Sequence, residues 1–266
     1  MIDIPEEIKT PSVLVESRTF LVKLAETDEE VRQAQRLRFT VFNQDQHRGL
    51  SSSEKQMMDR DEFDKYCIHL LVIKKNSGEV IGTYRAQLGS IAKDSLGFYS
   101  AREYAITGLE GKEDKCLELG RSCVSSRYRG GAAITLLWSA IAKLLIRSRM
   151  GYMMGCVSLD EDDPGTAWRL YDHFKAVGMV HPSIKATPKE EFRLSLPGPL
   201  SSENGVQDLT LDPVLPPLFK AYIRLGAKIC GEPALDREFG TIDFFILVDV
   251  SQIPQRYIRH FKYRKS

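Results

Sequence analysis

The segment from residue 117 to residue 132 combines features that suit anion binding. The apolar run Leu117–Val124 predicts a strand, and a turn with Arg127 and Arg129 leads to Gly130-Gly131-Ala132 at the start of a long helical pattern. Glycine lets a ligand approach the backbone closely, and the N–H groups of a first helical turn attract negative charge. The segment alone is equally consistent with a plain strand-to-helix turn, in which glycine serves only the geometry.

Arginines and aspartates in the first half of the chain form a set that suits a zwitterionic ligand such as an amino acid. Arginine binds a carboxylate through two parallel hydrogen bonds, and aspartate pairs with an ammonium. A network of ion pairs that ties an N-terminal helix to a hairpin is a nearly equal interpretation. The residues of this set are Arg38, Asp61, Asp64 and Arg85, and Arg121 belongs either to it or to the anion site.

Histidines and cysteines show no pattern typical of a metal centre or a thiol nucleophile. The five histidines lack HxH and HExxH spacing, so we expect no metal site. The five cysteines include no CxxC pair and lie mostly in apolar runs, which indicates buried thiols in a reducing compartment. Cys123 has no histidine in its sequence context to activate it, so a covalent route is not expected.

Charge and hydropathy exclude several classes of protein. The 266 residues include 37 Lys and Arg against 36 Asp and Glu, whereas a nucleic-acid-binding domain is usually clearly basic. The N-terminus does not resemble a secretory signal, and no apolar run approaches the roughly 20 residues that span a bilayer. We therefore expect a cytoplasmic protein. The basic residues from Arg256 onward predict a solvated terminus, with contact to the inner membrane surface or to an acidic carrier protein as the alternative.

Hydrophobic periodicity predicts alternating strands and helices, the pattern of an α/β protein. After a strand at Phe20–Leu24, Thr27 and Glu30 form a capping-box signal at the start of a helix. Two β-rich runs, Cys67–Lys74 and Val80–Leu88, predict a hairpin. The further expected elements are a polar loop at 47–58, a short helix at 99–105, helices at 130–150 and 164–174, and strands at 116–124 and 153–159.

The composition changes at Pro197, where residues 197–205 are rich in Pro, Gly and Ser and predict a linker. Beyond it, Leu215–Ile229 predicts an amphipathic helix and Ile242–Val250 an apolar strand. We therefore expect one domain over residues 1–266, with a core at 17–196 and a C-terminal extension at 197–266 that packs on the core.

Two motifs resemble those of the GNAT acyltransferase superfamily. Arg127-x-x-Gly130-x-Ala132 is similar to its pyrophosphate- and pantetheine-binding loop, and Ala167–Gly178 is similar to a later helix that contains a tyrosine and ends before a glycine. The resemblance implies an α/β (α+β) fold with a mixed, mostly antiparallel central sheet and helices on both faces. It also implies that the strand before the loop splays from its neighbour and that the donor thioester lies in the gap.

Four further motifs narrow the resemblance to the ornithine-lipid and N-acyl amino acid synthases, which are related to acyl-homoserine-lactone synthases. Lactone synthases typically have serine where this chain has Gly120, which favours the amino-acid acyltransferases. The likeness covers about Phe20 to Phe261. The motifs, in order, are Arg38-Phe39-Thr40-Val41-Phe42, Asp61-Glu62-Phe63-Asp64, Gly82-x-x-Arg85 and Glu118-Leu119-Gly120-Arg121.

The resemblance assigns a role to several residues. Glu118 would take the proton of the attacking amine, directly or through a water, or else would pair with Arg121 or Arg85 to hold the sheet. Backbone N–H groups near Cys123 and Val124 would hold the carbonyl oxygen. Tyr171 would donate to the leaving thiolate, although a tyrosine on an amphipathic helix is more often simply packed.

The same resemblance implies the reaction and its partners. We expect transfer of a long-chain fatty acyl group, with or without a 3-hydroxyl, from an acyl-phosphopantetheine thioester to the amine of an amino acid, with ornithine as the leading acceptor. The donor would be acyl carrier protein, with acyl-CoA as the alternative, and no bound cofactor is needed. Other amines such as glycine, lactone-type synthesis and a non-catalytic lipid- or carrier-binding module are the rival hypotheses.

Overall fold

The computed structural model describes residues 4–129, 131–159, 163–195 and 215–257. Gly130, the predicted linker at 197–205 and the basic residues 259–265 lie outside this part. Six α-helices and eleven strands lie within it. The helices are α1 (Glu6–Lys9), α2 (Asp28–Phe39), α3 (Gly89–Lys93), α4 (Ala132–Ser148), α5 (Pro164–Ala176) and α6 (Pro217–Arg224). The strands are β1 (Val13–Glu16), β2 (Phe20–Leu24), β3 (Ile68–Lys74), β4 (Glu79–Leu88), β5 (Tyr104–Thr107), β6 (Cys116–Val124), β7 (Tyr152–Ser158), β8 (Lys185–Pro188), β9 (Lys228–Ile229), β10 (Ala234–Asp236) and β11 (Thr241–Asp249).

Nine of these strands form the central sheet, in the order β1-β2-β3-β4-β6-β7-β11-β10, with β9 paired to β11. All neighbours run antiparallel except β6 and β7, which are parallel. The predicted mixed, mostly antiparallel sheet is therefore confirmed. Strands β5 and β8 form a separate two-stranded sheet.

Structural elements cover both faces of the sheet. Helix α4 packs on β1, β2 and β3 through the side of the sheet that contains Leu70 and Val72. Because side chains alternate along a strand, His69 points to the other face, where its ring nitrogen Nε2 lies 2.9 Å from the backbone oxygen of Asp64. Helix α2 covers this second face, over β3, β4 and β6. The prediction of helices on both faces is confirmed.

The C-terminal part of the chain supplies the strands at one end of the sheet, beyond β7. Strand β11 pairs with β7 over seven residues, Asp243–Asp249 against Tyr152–Ser158. On the α4 face, the ring of Phe244 lies 5.8 Å from the rings of both Phe174 on α5 and Phe219 on α6. On the other face, Phe245 packs with the small sheet formed by β5 and β8.

Local sequence signals predicted many elements correctly, and tertiary pairing explains the exceptions. The capping box is confirmed, because the side chain of Thr27 accepts a hydrogen bond from the backbone of Glu30 while that of Glu30 accepts one from Thr27. The short helix predicted at 99–105 is wrong. A 3-10 turn at Tyr99–Arg102 leads directly into β5, because that segment pairs with β8 some 80 residues later.

The predicted helix at 215–229 is correct only in its first half. It ends at Arg224, and Gly226 follows with a φ of 92°. Residues Lys228–Ile229 then pair with β11. No helix among the described residues has both the length and the apolar character needed to cross a membrane.

Candidate active site

The parallel strands β6 and β7 separate part of the way along their length. Residues Cys116–Glu118 pair with Tyr152–Met154, and the two strands then continue to Val124 and Ser158 without further pairing. Gly155 lies where they part, and a Cβ atom there would be 2.3 Å from the backbone oxygen of Leu119. A side chain is thus excluded at the point where the gap opens. The structure confirms the splayed strands implied by the resemblance.

A cavity of about 280 Å³ occupies this gap. Its walls include Leu119–Ser122 of β6 and Cys156–Ser158 of β7, the two strand edges that no longer pair, and Glu118 just before them. Tyr99, Ser100 and Asp243 add to the lining. Ligand sites for drug-sized molecules have volumes of roughly 300–1,000 Å³, so this cavity suits a smaller reactant. It is the candidate active site.

A wider depression of about 1240 Å³ lies beside α1 and α2. Asp61 and Asp64 contribute to its lining, but no residue of β6 or β7 does. Because it does not reach the gap between those strands, its greater size does not make it the better candidate.

The predicted donor loop lies at the end of β6 in an open position. Arg127 and Arg129 are exposed, and Arg129 Nε donates to the backbone oxygen of Val124 at 3.4 Å. Gly131 has a φ of 109°, which favours glycine, and no side chain caps helix α4 where it begins at Ala132. The N–H groups of this first turn are therefore available to an anion.

Cys123 and Tyr171 lie against apolar neighbours. Cys123 packs with Val41 and Phe42, and burial raises the pKa of its thiol to about 12, so the thiol stays protonated. Tyr171 on α5 is half-buried, with its ring 6.0 Å from that of Trp168. Neither side chain contributes to the lining of the cavity.

Glu118 lines the cavity and is held by the turn that begins at Tyr99. Its Oε1 accepts hydrogen bonds from the backbone N–H and the Oγ of Ser100 at 2.7 and 2.6 Å, and its Oε2 accepts one from the N–H of Tyr99 at 2.6 Å. Burial raises the pKa of Glu118, and these hydrogen bonds counter part of the rise. No salt bridge joins Glu118 to Arg85 or Arg121 among the described contacts, so its structural role is to fix this turn.

The predicted set of arginines and aspartates comes together in one buried network. Arg38 is fully buried, and its Nη1 and Nη2 donate to the two carboxylate oxygens of Asp64 at 3.0 and 2.7 Å. Its Nε lies 2.9 Å from Oδ1 of Asp59, a buried partner that the sequence did not reveal. Arg85 Nη1 lies 2.6 Å from Oδ1 of Asp61 and 3.0 Å from Oδ1 of Asp64.

The charges of this network satisfy one another. Burial alone would raise the pKa of Asp64, but the charges of Arg38 and Arg85 outweigh that effect and hold it far below its usual value. The network therefore ties α2 to the sheet, which is the structural alternative considered for these residues. Of its arginines, Arg85 and Arg121 also line the cavity.

Arg121 enters the network through a β-bulge. The register of β4 against β6 shifts between Thr83 and Arg85, and Arg121 has a φ of 51°, which is uncommon for a residue other than glycine. Its Nη atoms lie 3.5 and 3.4 Å from carboxylate oxygens of Asp59 and Asp61. Its buried Nε has no hydrogen-bond partner among the described residues. The ion pairs of Arg121 among the described residues are thus long, and its Nη2 also donates to the hydroxyl of Tyr99 at 3.2 Å.

Three buried acidic side chains adjoin the same cavity, and sequence reasoning did not single them out. Glu103, Asp236 and Asp243 offer carboxylate oxygens that lie within 4.8 Å of one another. They come from the end of the Tyr99–Arg102 turn, from β10 and from β11, so no spacing in the sequence relates them. The sequence predicted no metal site, whereas this cluster has a geometry that a cation can occupy.

The sheet with its splayed strands, the cavity between them and the open helix start define the class of this protein. Residues 37–139 match the family model described as an acetyltransferase (GNAT) domain. The protein is a GNAT-type acyltransferase, as the sequence motifs predicted.

Relatives over nearly the whole chain specify the family. The chain is 32% identical over 253 residues to the L-ornithine N(alpha)-acyltransferase of Brucella abortus (strain 2308), covering 90% of this chain and 88% of that protein. It is 31% identical over 259 residues to the enzyme of the same name from Agrobacterium fabrum (strain C58 / ATCC 33970), covering 91% and 85%. The chain belongs to this family of N-acyltransferases. The solved structure of FeeM, an N-acyl amino acid synthase from uncultured soil microbes, aligns at 9% identity and a TM-score of 0.48 over 90% of this chain and 96% of that one.

Proposed function

We propose that this enzyme transfers a fatty acyl group from an acyl-phosphopantetheine thioester to the α-amine of ornithine, forming an N-acylornithine and a free thiol. The observation that supports this most strongly is the cavity between β6 and β7, which Glu118 lines, on the strand that leads into an exposed basic loop. The names of the relatives supply ornithine as the acceptor.

The acyl donor would bind at the end of β6, where the loop before α4 is open. The thioester lies in the strand gap, and its phosphate lies at the first turn of α4, near Gly131 and Ala132. N–H groups near Cys123 and Val124 stabilise the carbonyl oxygen as it gains charge. Acyl carrier protein is the donor that the resemblance implies; such proteins are acidic, so the exposed Arg127 and Arg129 would attract one, as they would the phosphates of CoA.

The amine must be neutral when it attacks the thioester carbon. Glu118 already accepts three hydrogen bonds, and because a carboxylate offers about four lone-pair positions, one remains on Oε2. That position receives the amine proton, directly or through a water. The C–N bond then forms, the C–S bond breaks, the nitrogen loses its second proton, and the thiolate takes up one proton. The resemblance proposes Tyr171 as a relay for that proton; its hydroxyl, which burial keeps protonated by raising its pKa, does not line the cavity and would have to act from the donor side.

Arg121 is the best partner for the carboxylate of the acceptor. Its Nε is buried without a hydrogen-bond partner and it lines the cavity, whereas Arg85 is occupied by Asp61 and Asp64. A charge-assisted hydrogen bond from this Nε would satisfy a group that is costly to leave unpaired. In this arrangement Arg38, Asp61, Asp64 and Arg85 act as positioning residues that hold Arg121 in place.

Mass spectrometry of a defined reaction tests this proposal. Purified protein is incubated with a pool of amino acids and with palmitoyl or 3-hydroxypalmitoyl groups on either acyl carrier protein or CoA. We expect a product with the mass of N-acylornithine, formed faster from the carrier protein. The variant Arg127→Glu should slow the reaction with either donor in a salt-dependent way, because carrier protein and CoA are both anionic. Absence of any acylated amine with every donor would refute the proposal.

A further inference from the structure

We propose that Glu103, Asp236 and Asp243 bind the side-chain ammonium of the acceptor and so select amino acids with a second amine. This inference depends on the proposed function, because it assigns a specificity site within the same cavity. It makes the cavity a two-ended site that recognises one anionic and one cationic group of a single small molecule.

The three carboxylates lack a cationic partner of their own. Glu103, Asp236 and Asp243 are 2%, 7% and 5% exposed, so water does little to screen their charges. Within residues 4–129, 131–159, 163–195 and 215–257, none of them forms a salt bridge with a lysine or arginine. Carboxylates are rarely buried unless they are paired. A cationic ligand at the cluster would therefore supply the opposite charge that these carboxylates lack.

Three buried oxygens at this cluster also lack hydrogen-bond partners of acceptable geometry among the described residues. They are Oε2 of Glu103, Oδ1 of Asp243 and Oγ1 of Thr241, and all three residues line the cavity. A buried acceptor left without a donor costs roughly 1–3 kcal/mol. A primary ammonium has three N–H donors, which matches the three oxygens in number.

The titration of the carboxyl groups agrees with this geometry. The pKa of Asp243 is raised to about 6, because burial and the charge of Asp236 raise it by more than nearby Ser158, Thr241 and Arg121 lower it. Burial and the same neighbouring carboxylates raise the pKa of Glu103 well above its usual value. An ammonium at the cluster would reverse these shifts, because an opposite charge favours the ionised carboxylate.

The same cavity also holds groups that suit the rest of an amino acid. Arg121 is proposed above to bind the α-carboxylate, and Glu118 to face the α-amine. Both residues line the cavity together with the three carboxylates of the cluster. A flexible diamino acid bound by Arg121 would therefore direct its second amine to the cluster.

An ammonium fits the cluster better than a divalent metal does. Calcium takes six to eight oxygen ligands and magnesium requires a near-ideal octahedron, whereas the cluster offers three carboxyl groups. Oδ1 of Asp236 is already occupied, since it accepts the N–H groups of Glu238 and Phe239, each at 2.9 Å. Binding of a metal ion is therefore an alternative that the experiment must distinguish from binding of an ammonium.

The experiment compares two acceptors that differ only in the second amine. Ornithine and norvaline have the same carbon chain, and norvaline lacks the δ-ammonium. For the unmodified enzyme we expect kcat/KM to favour ornithine by at least 100-fold, as in sites built around a polar group of the substrate. Asp243→Asn and Glu103→Gln should each lower kcat/KM for ornithine by roughly 10- to 100-fold while changing that for norvaline by less than about threefold.

The matched control is Asp249→Asn, the same substitution at the far end of β11, where the hydrogen bonds that the side chain of Asp249 accepts from described residues come from Ser251. It should leave the ratio of the two substrates unchanged. Thermal unfolding of each variant separates a loss of recognition from a loss of folding, and the two substitutions on different elements test the site independently.

Several outcomes would overturn the inference. Equal use of norvaline by the unmodified enzyme, or an unchanged ratio in both variants, would refute it while N-acylation of ornithine still stood. Activity that EDTA abolishes and Mg²⁺ or Mn²⁺ restores, with loss of the metal response in Asp243→Asn, would assign the cluster to a metal instead. Failure of the unmodified enzyme to acylate any amino acid would refute the proposed function and this inference together.

Discussion

At the scale of single residues, Glu118 combines a structural and a proposed catalytic role in one carboxylate. The hydrogen bonds from Tyr99 and Ser100 that fix the turn also stabilise the charged form of Glu118. Burial acts in the opposite direction and prevails, so the pKa of Glu118 lies above its ordinary value. A carboxyl group with this balance is a better proton acceptor than an exposed glutamate, provided that the pH is high enough to ionise it.

The hydroxyl of Ser100 gives a direct test of this balance. In Ser100→Ala, Glu118 loses the hydrogen bond from Oγ that lowers its pKa, so the pKa should rise further. Since the base must be deprotonated, we expect the acidic limb of the kcat/KM profile to move to higher pH. One hydrogen bond of about 1 kcal/mol corresponds to roughly 0.5–1 pH unit. The measurement is kcat/KM for the acceptor between pH 5 and pH 9.

Ser139→Ala is the matched control for this prediction. Ser139 is also buried, and its Oγ donates to the backbone oxygen of Thr135 within α4, away from the cavity. Its removal should leave the acidic limb in place. An unmoved limb in Ser100→Ala as well, at normal thermal stability, would contradict the assignment of Glu118 as the base.

Arg38 provides a second test at the residue scale. In Arg38→Met, the carboxylates of Asp59 and Asp64 lose their closest cationic partner in a buried site, so we expect unfolding to become easier by roughly 3–5 kcal/mol. Arg36→Met on the same helix removes only the exposed pair with Glu29 and should change the free energy of unfolding by less than about 0.5 kcal/mol. Urea unfolding of both variants makes the comparison, and equal effects would show that the buried network adds no stability.

Residue types and spacing predicted some of the residues of this site and missed others. The sequence singled out Arg38, Asp61, Asp64 and Arg85 because they lie in motifs that resemble those of known acyltransferases and because their mixed charges suit an amino acid. It did not reveal Glu103 and Asp243, which lie 140 residues apart and meet only because β11 joins the sheet beside β7. A constellation formed by pairing between distant strands leaves no periodic signal in either segment.

At the scale of elements, the gap between β6 and β7 depends on Gly155. We expect Gly155→Ala to push its new Cβ against the backbone oxygen of Leu119, at 2.3 Å, and to destabilise the fold by roughly 1–3 kcal/mol. Gly151→Ala, just before the same strand, meets its nearest atom at 3.8 Å and should have little effect. Thermal unfolding of the two variants tests this, and equal stability would mean that the gap tolerates a side chain where the strands part.

Elements defined by local signals were predictable, and elements defined by partners were not. The helix that starts at Pro164 follows from Asp163, whose side chain accepts from the N–H groups of Gly165 and Thr166. Strand β5 depends on β8, and the segment at 99–105 that leads into it was predicted as a short helix. The intrinsic preference of a short segment is weak, so pairing overrides it.

At the scale of the whole molecule, strands from the C-terminal part of the chain complete the central sheet. The sequence predicted a boundary near residue 196 because the composition changes there. Composition indicates loops and linkers, but it does not indicate which strand a later segment will pair with. Strand β11 lies between β7 and β10 and contributes Asp243 to the cavity. The cavity thus requires both the early motifs and the C-terminal strand.

Truncation tests this dependence directly. A chain that ends after residue 195 would leave β7 without its partner along Tyr152–Ser158 and would expose Phe174, which packs on Phe219 and Phe244. We therefore expect it to lack a cooperative thermal transition and a near-ultraviolet circular dichroism signal. A chain that ends after residue 257 keeps every described element and should unfold as the full chain does. Cooperative unfolding of the shorter chain would instead make residues up to 195 an independent folding unit, to which the C-terminal strand only adds one wall of the cavity.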